Sequence, residues 1–317
     1  MDYFFSSSHH RFPLLLAGLN GLLLGLLLAC QPEDQSPERA AAPQFTAEPE
    51  ERRGPFAYRL DAPDAKQKLP SELVEISGLA WWEEEVLAAV QDEKGNVYRY
   101  DFAAEAVVRK IDFAGGGDYE GVTRRQNEIW VVRSDGRLYQ LADGRPVQKF
   151  DTPLDEDFDV EGLTWYPKGK VFLLACKGFP GKGKALKGKK TIYAFDPAKG
   201  ELRMAPEIVI DLAEVVVGRP LKAQENAEEF FNPGKGSKVF QPSGIAVHPQ
   251  SGDIYVIASV GKKLIVLSPR GKLRHVKSLN YKHFDQPEGI CFAPDGRLYI
   301  ASEGAGGKGK IMRFDPR

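Results

Sequence analysis

A residue followed by glycine and an aliphatic recurs five times along the chain, as Ser77-Gly78-Leu79, Glu120-Gly121-Val122, Glu161-Gly162-Leu163, Ser243-Gly244-Ile245 and Glu288-Gly289-Ile290. The glycines are 43, 41, 82 and 45 residues apart, so the third interval is about twice the others. A repeat near 40 residues marks a modular architecture, and it constrains the fold before any local propensity is weighed. Each copy continues with a short aliphatic run, at residues 86–90, 129–132, 171–175, 254–258 and 298–301. Polar turns such as Asp135-Gly136, Ser251-Gly252-Asp253 and Asp295-Gly296 separate the runs of a repeat, and a third run tends to end in an aromatic. Up to four strands per repeat predicts an all-β chain folded as a five-bladed β-propeller over residues 54–317.

Six blades is the alternative, because the long interval could hold a degenerate repeat. Residues 212–240 have no glycine motif and are too short for four strands; Leu221 to Phe230 has a helix-like composition, so an inserted loop with a short helix is the preferred reading. The last repeat stops at Arg317 after its third strand, which leaves a hydrogen-bonding edge. Phe56-Ala57-Tyr58-Arg59-Leu60 alternates in character and is assigned as the missing outer strand, closing the ring.

Upstream of the repeats, an Arg11-bearing polar start leads into an apolar run from Phe12 to Leu28. The run is shorter than the roughly 20 residues that cross a bilayer and is broken by Pro13, Gly18, Asn20, Gly21 and Gly25, so it reads as a signal sequence over residues 1–29. Leu27-Leu28-Ala29-Cys30 resembles a bacterial lipobox, which implies cleavage before Cys30, a lipid anchor on that cysteine, and attachment to a membrane. Gln31 in place of Asp favours the outer membrane of a Gram-negative cell. Residues 30–53, rich in Pro, Glu, Gln and Ala, have no apolar periodicity and read as a tether.

The charge balance of 43 basic against 44 acidic residues gives no field that would draw the chain to nucleic acid, and a monomer is expected. Cys176 and Cys291 lie in apolar runs of non-adjacent repeats, so both are expected to be buried free thiols. The lysines at 182, 184, 187, 189 and 190, interleaved with glycine, read as a mobile basic loop.

In a propeller the innermost strands converge on a central channel, and the residue before each motif glycine should face one mouth of it. Glu120, Glu161 and Glu288 hold that position in three copies, Ser77 and Ser243 in the other two. Carboxylates gathered about an axis must take up protons, stay hydrated, pair with cations or bind a metal. Loops between second and third strands bring Asp92, Glu93, Arg133, Asp135, Lys177 and Glu303 to the same face, where Arg133 and Lys177 could neutralise the glutamates without any metal. His283 is placed near that mouth as a conceivable general base, and His248 on the opposite face.

Taken together, Glu75-Ile76-Ser77-Gly78-Leu79, Asp118-Tyr119-Glu120-Gly121, Arg133-Ser134-Asp135-Gly136, Val160-Glu161-Gly162-Leu163, Leu174-Ala175-Cys176-Lys177-Gly178, Pro242-Ser243-Gly244-Ile245 and Gln286-Pro287-Glu288-Gly289-Ile290 resemble the SdiA-regulated, YjiK-like family of bacterial propellers. The resemblance implies a five-bladed ring distantly related to NHL-repeat propellers, and a calcium site, for which Glu120, Glu161 and Glu288 are the candidate ligands. It does not supply a reaction. A binding module that engages a small molecule or protein at the channel mouth is expected, and a calcium-dependent hydrolase of the lactonase type is the alternative. Such hydrolases mix Glu with Asn and Asp from several blades in their ligand set, and here no Asn occupies the glycine-preceding positions, which favours the binding module.

Overall fold

Short apolar runs punctuated by turn residues become antiparallel strands in the computed structural model, which describes residues 55–142, 147–216 and 238–317. The strands form five sheets, and the innermost strand of each packs against that of the next until the fifth returns to the first. The chain is a five-bladed β-propeller. The inner strands are Ile76–Glu83, Tyr119–Arg125, Val160–Tyr166, Gln241–Val247 and Gln286–Phe292, so each carries one copy of the glycine motif. The second strands are packed on both faces, which explains their unbroken apolar runs: Val171–Cys176 is buried at every residue. Outer strands such as Leu273–Ser278 are only partly covered and carry charge.

Large side chains fill the wedges between blades. Trp130 of the second blade lies against Phe172 of the third with ring centroids 4.5 Å apart, and Trp130, Phe172 and Phe195 are each almost fully buried. Each such side chain contributes about 1.5–3 kcal/mol by leaving water, so the wedges rather than the channel make up most of the core. Cys176 and Cys291 are both free and buried, as expected.

The ring is closed by the N-terminal side of the repeats, but through a different segment from the one the pattern suggested. Ala65–Lys68 is the outer strand of the last blade and pairs antiparallel with Lys310–Phe314, Ala65 opposite Arg313 and Lys68 opposite Lys310. Residues 56–60 form no strand. Their alternation reflects burial: Tyr58 and Leu60 are wedged among Tyr255, Phe292 and Phe314 of the last two blades. Among the described residues the long interval contributes no further sheet, only the short helix Leu212–Val216. The helix expected at Leu221 to Phe230, the signal sequence, Cys30 and the tether lie outside the described residues.

The recurring glycine is explained by the approach of neighbouring blades. A Cβ on Gly121 would stand 2.7 Å from the backbone nitrogen of Leu163, and one on Gly244 would run into the Glu288 carbonyl oxygen. In each blade the glycine faces the corresponding motif of the next, and none of the five has a positive φ. Their shared requirement is space, not a left-handed backbone.

Candidate functional site

Each inner strand has a register shift at the residue before its glycine, between Ile76 and Gly78, Tyr119 and Gly121, Val160 and Gly162, Pro242 and Gly244, and Pro287 and Ile290. A bulge leaves one residue without a partner across the ladder and re-aims its side chain. Repeated around a ring, that defect directs Glu120, Glu161 and Glu288 to one place. They line an axial cavity of about 10 Å3 together with Ser77, which is room for about one water-sized occupant. The aliphatic that follows each glycine forms the floor: Leu79, Val122, Leu163, Ile245 and Ile290 make an apolar collar.

Electrostatics divide the three carboxyls. Burial, then the charge of Glu161 and a hydrogen bond to Asp118, pushes Glu120 up to about 11, so it keeps its proton at neutral pH. Burial likewise raises Glu161 well above the usual carboxylate range, against the pull of Lys177, whose Nζ donates to its Oε1 at 2.6 Å. Burial works against the Lys177 ammonium too, but Glu161, Asp159 and Glu288 outweigh it and hold its pKa above the ordinary lysine value. Glu288 is raised by burial to about 7, opposed by Lys177, Ser259, Lys262 and Ser243. The centre therefore carries one firmly held cation among three glutamates. Among the described residues, no group of three or more His, Cys, Asp or Glu side chains is arranged so as to hold a metal ion.

Lys177 reaches the glutamates, whereas Arg133 is paired elsewhere. The Arg133 guanidinium donates to Asp135, two residues on, and that pairing is the first cause of its raised pKa. Ser77 and Ser243 are inter-blade links: Ser77 Oγ donates to the Tyr119 carbonyl and Ser243 Oγ to the Pro287 carbonyl, each at 2.6 Å. His283 does not line the cavity; it lies edge-on to Phe284. Asp92 and Glu303 form a second acidic group with Glu75, and burial first, then the neighbouring carboxylates, raise them to about 6 and about 7.

Asp118, Asp159 and Glu75 complete the electrostatics of this end and were not singled out from the repeat. All three sit two residues before the glycine-preceding position. Lys190 belongs to the basic run whose composition reads as a mobile loop, but it is buried and donates to the carbonyls of Lys177 and Gly178. Burial lowers its pKa to about 8. Lys190 thus holds the backbone from which Lys177 reaches the axis, and the basic run divides into exposed and structural members.

No protein-family model matches this chain, and no curated protein matches it. Solved structures do resemble it. Glutaminyl cyclase from Myxococcus xanthus is similar at 11% identity and a TM-score of 0.51, over 80% of this chain and 95% of that one. Virginiamycin B lyase from Staphylococcus aureus is similar at 13% identity and a TM-score of 0.44, over 78% of this chain and 68% of that one. A luciferin-regenerating enzyme is similar at 13% identity and a TM-score of 0.46, over 80% and 95%. These are β-propeller proteins, and likeness at such identities concerns the fold alone.

Proposed function

We propose that this chain is a cell-envelope lipoprotein of the SdiA-regulated, YjiK-like family, that its propeller is a binding module, and that the glutamate end of its channel accepts one hard cation of the calcium class. The observation carrying the ion assignment is the axial cavity of about 10 Å3 among Glu120, Glu161 and Glu288. It is sized for a single atom, and its polar side chains offer only oxygen, the donor set that calcium takes six to eight of. The three glutamates are not arranged to hold the ion as they stand, so to hold it they would have to draw together, with backbone carbonyls and water completing the shell. In the metal-free arrangement Lys177 already neutralises Glu161, so a cation must displace it. A side chain that is 35% exposed can turn outward. Glu120 must also give up its proton, so binding strengthens as pH rises. The hydrolase alternative needs an ester or lactone beside these carboxylates, and the cavity has no room for one.

A calorimetric calcium titration tests this reading. Wild type should gain thermal stability by mass action, about 2.7 kcal/mol at a hundredfold excess over the dissociation constant. Glu161→Gln keeps the shape and should lose most of that gain. Calcium-independent, identical melting of both proteins ends the assignment. The anchor is tested separately by mass spectrometry of the mature protein: an acyl adduct on Cys30 is expected, and an intact Met1 refutes it.

A further inference from the structure

Beyond the aliphatic collar the channel widens. Two residues after each collar position, and so on the same side of each inner strand, stand Trp81, Arg124, Trp165, Val247 and Phe292. All five line a cavity of about 540 Å3 whose floor is the collar itself. That volume lies within the roughly 300–1,000 Å3 of small-molecule sites. No acidic residue lines it. The channel is therefore divided into an acidic, atom-sized end and a wide end whose fixed charges are those of Arg124 and Lys168.

Arg124 is held ready. Its Nη1 donates to the Trp82 carbonyl, its Nε to the Gln126 carbonyl, and its guanidinium lies over the Trp82 ring 4.5 Å from the centroid. Among the described residues no carboxylate pairs with it, whereas Arg125 pairs with Glu128 and Arg297 with Glu84, Glu85 and Asp295. A guanidinium has five N–H donors, so a fixed fork with capacity to spare belongs to a residue in the wall of an apolar, aromatic funnel. At the lip, the Nδ1 of His248 accepts the Ser251 N–H at 3.3 Å, which places the ring proton on Nε2, 3.1 Å from the Tyr58 hydroxyl. Burial lowers the His248 pKa, so the ring is neutral at neutral pH.

We infer that this wide end binds a small amphipathic anion, an aromatic or branched apolar body bearing one carboxylate-like group, with the body against the collar, Trp81 and Trp165 and the charge on Arg124. The site lies on the far side of the collar from the glutamates and does not depend on their occupancy.

Anilinonaphthalene sulfonate is the probe, with phenylnaphthylamine as the same aromatic body without the anion. The folded wild type should bind one sulfonate dye and lose tryptophan fluorescence as it does so. Arg124→Met should weaken the sulfonate about tenfold or more, as expected for a hydrogen bond to a charged group, and leave phenylnaphthylamine unchanged. Val247→Trp should block both by filling the funnel. Absence of sulfonate binding by the folded wild type, equal sulfonate affinity in Arg124→Met, or undiminished binding in Val247→Trp would each overturn the site. Should Arg124→Met not fold, wild type alone decides: tighter binding of the sulfonate than of the more apolar neutral dye is required, and equal or weaker binding overturns the anion assignment.

Discussion

Removal of the chain through Lys68 should produce a protein that self-associates and melts far below one that begins at Pro55. Two losses combine in the shorter protein. The first is the strand Ala65–Lys68, without which Lys310–Phe314 presents an unpaired edge to other molecules. The second is the plug formed by Tyr58 and Leu60, both buried between the last two blades. The Tyr58 hydroxyl donates to the Gly296 carbonyl at 2.7 Å and accepts from His248. Two buried side chains at about 1.5–3 kcal/mol each, together with the ladder and hydroxyl hydrogen bonds at about 1 kcal/mol each, amount to a large part of a domain stability of about 5–15 kcal/mol. Size-exclusion chromatography and thermal melts of the two truncations measure the difference. A monomeric protein with an unchanged melt would show that the ring does not need this closure. Removal through Leu60 alone should lower the melting temperature and leave the protein monomeric, because the edge stays covered.

The two halves of that segment also show what the sequence could and could not disclose. Phe56-Ala57-Tyr58-Arg59-Leu60 alternates as a half-buried strand does, and its aromatic residues are indeed covered, but hydropathy reports burial and not pairing. The true closing strand, Ala-Lys-Gln-Lys, has no large apolar residue to reveal it. It lies at the outer edge of a blade, where charge protects against unwanted pairing, so the feature that suits it to an edge also hid it. The blade count was legible because one steric demand, close approach of adjacent inner strands, forces glycine at the same place five times. The glutamates were legible through the same register.

Their neighbours were not, although the register contained them. Counting from the glycine, the positions one before it, one after it and three after it line the channel: the first gives the three glutamates, the second the collar and the third Trp81, Arg124 and Trp165. The position three before it gives Glu75, Asp118 and Asp159, whose charges act on that end. Reading the period of two outward in both directions would have found both ends of the channel. Pairing could not be read this way. Arg133 and Lys177 occupy equivalent loops, yet Arg133 has Asp135 within reach on its own turn, while the backbone of Lys177 is fixed by buried Lys190 and its side chain reaches the axis. Which partner wins depends on distances across blades.

Lys177 is accordingly the residue whose loss should cost most at the centre. Lys177→Met leaves Glu161, 5% exposed, without its cation, and breaking a buried pair in this way costs about 3–5 kcal/mol. The sign of the pH dependence follows from linkage. In the variant Glu161 keeps its proton when folded and releases it when unfolded, so no penalty exists below its ordinary value of 4.5 and the penalty grows as pH rises above it. Wild type has a slope of the same sign. Glu120, Glu288, Asp92 and Glu303 are raised to about 11, 7, 6 and 7 and Glu161 is raised as well, so the stability they contribute is full below their ordinary values of 4.5 for Glu and 3.8 for Asp and is lost as pH rises through the raised ones. His248 acts oppositely: its pKa is depressed, so its contribution is present above 6.5 and lost on acidification. Metal-free wild type should therefore melt highest at mildly acidic pH, and Lys177→Met should move that optimum lower. Calcium separates the two accounts of the centre. If a cation can take the place of the ammonium, calcium at pH 7.5 should rescue Lys177→Met by more than it stabilises wild type, because no lysine has to be displaced. If the lysine is the only counter-charge this centre accepts, acid alone will rescue the variant, and melts in calcium and in chelator will coincide from pH 5 to 8.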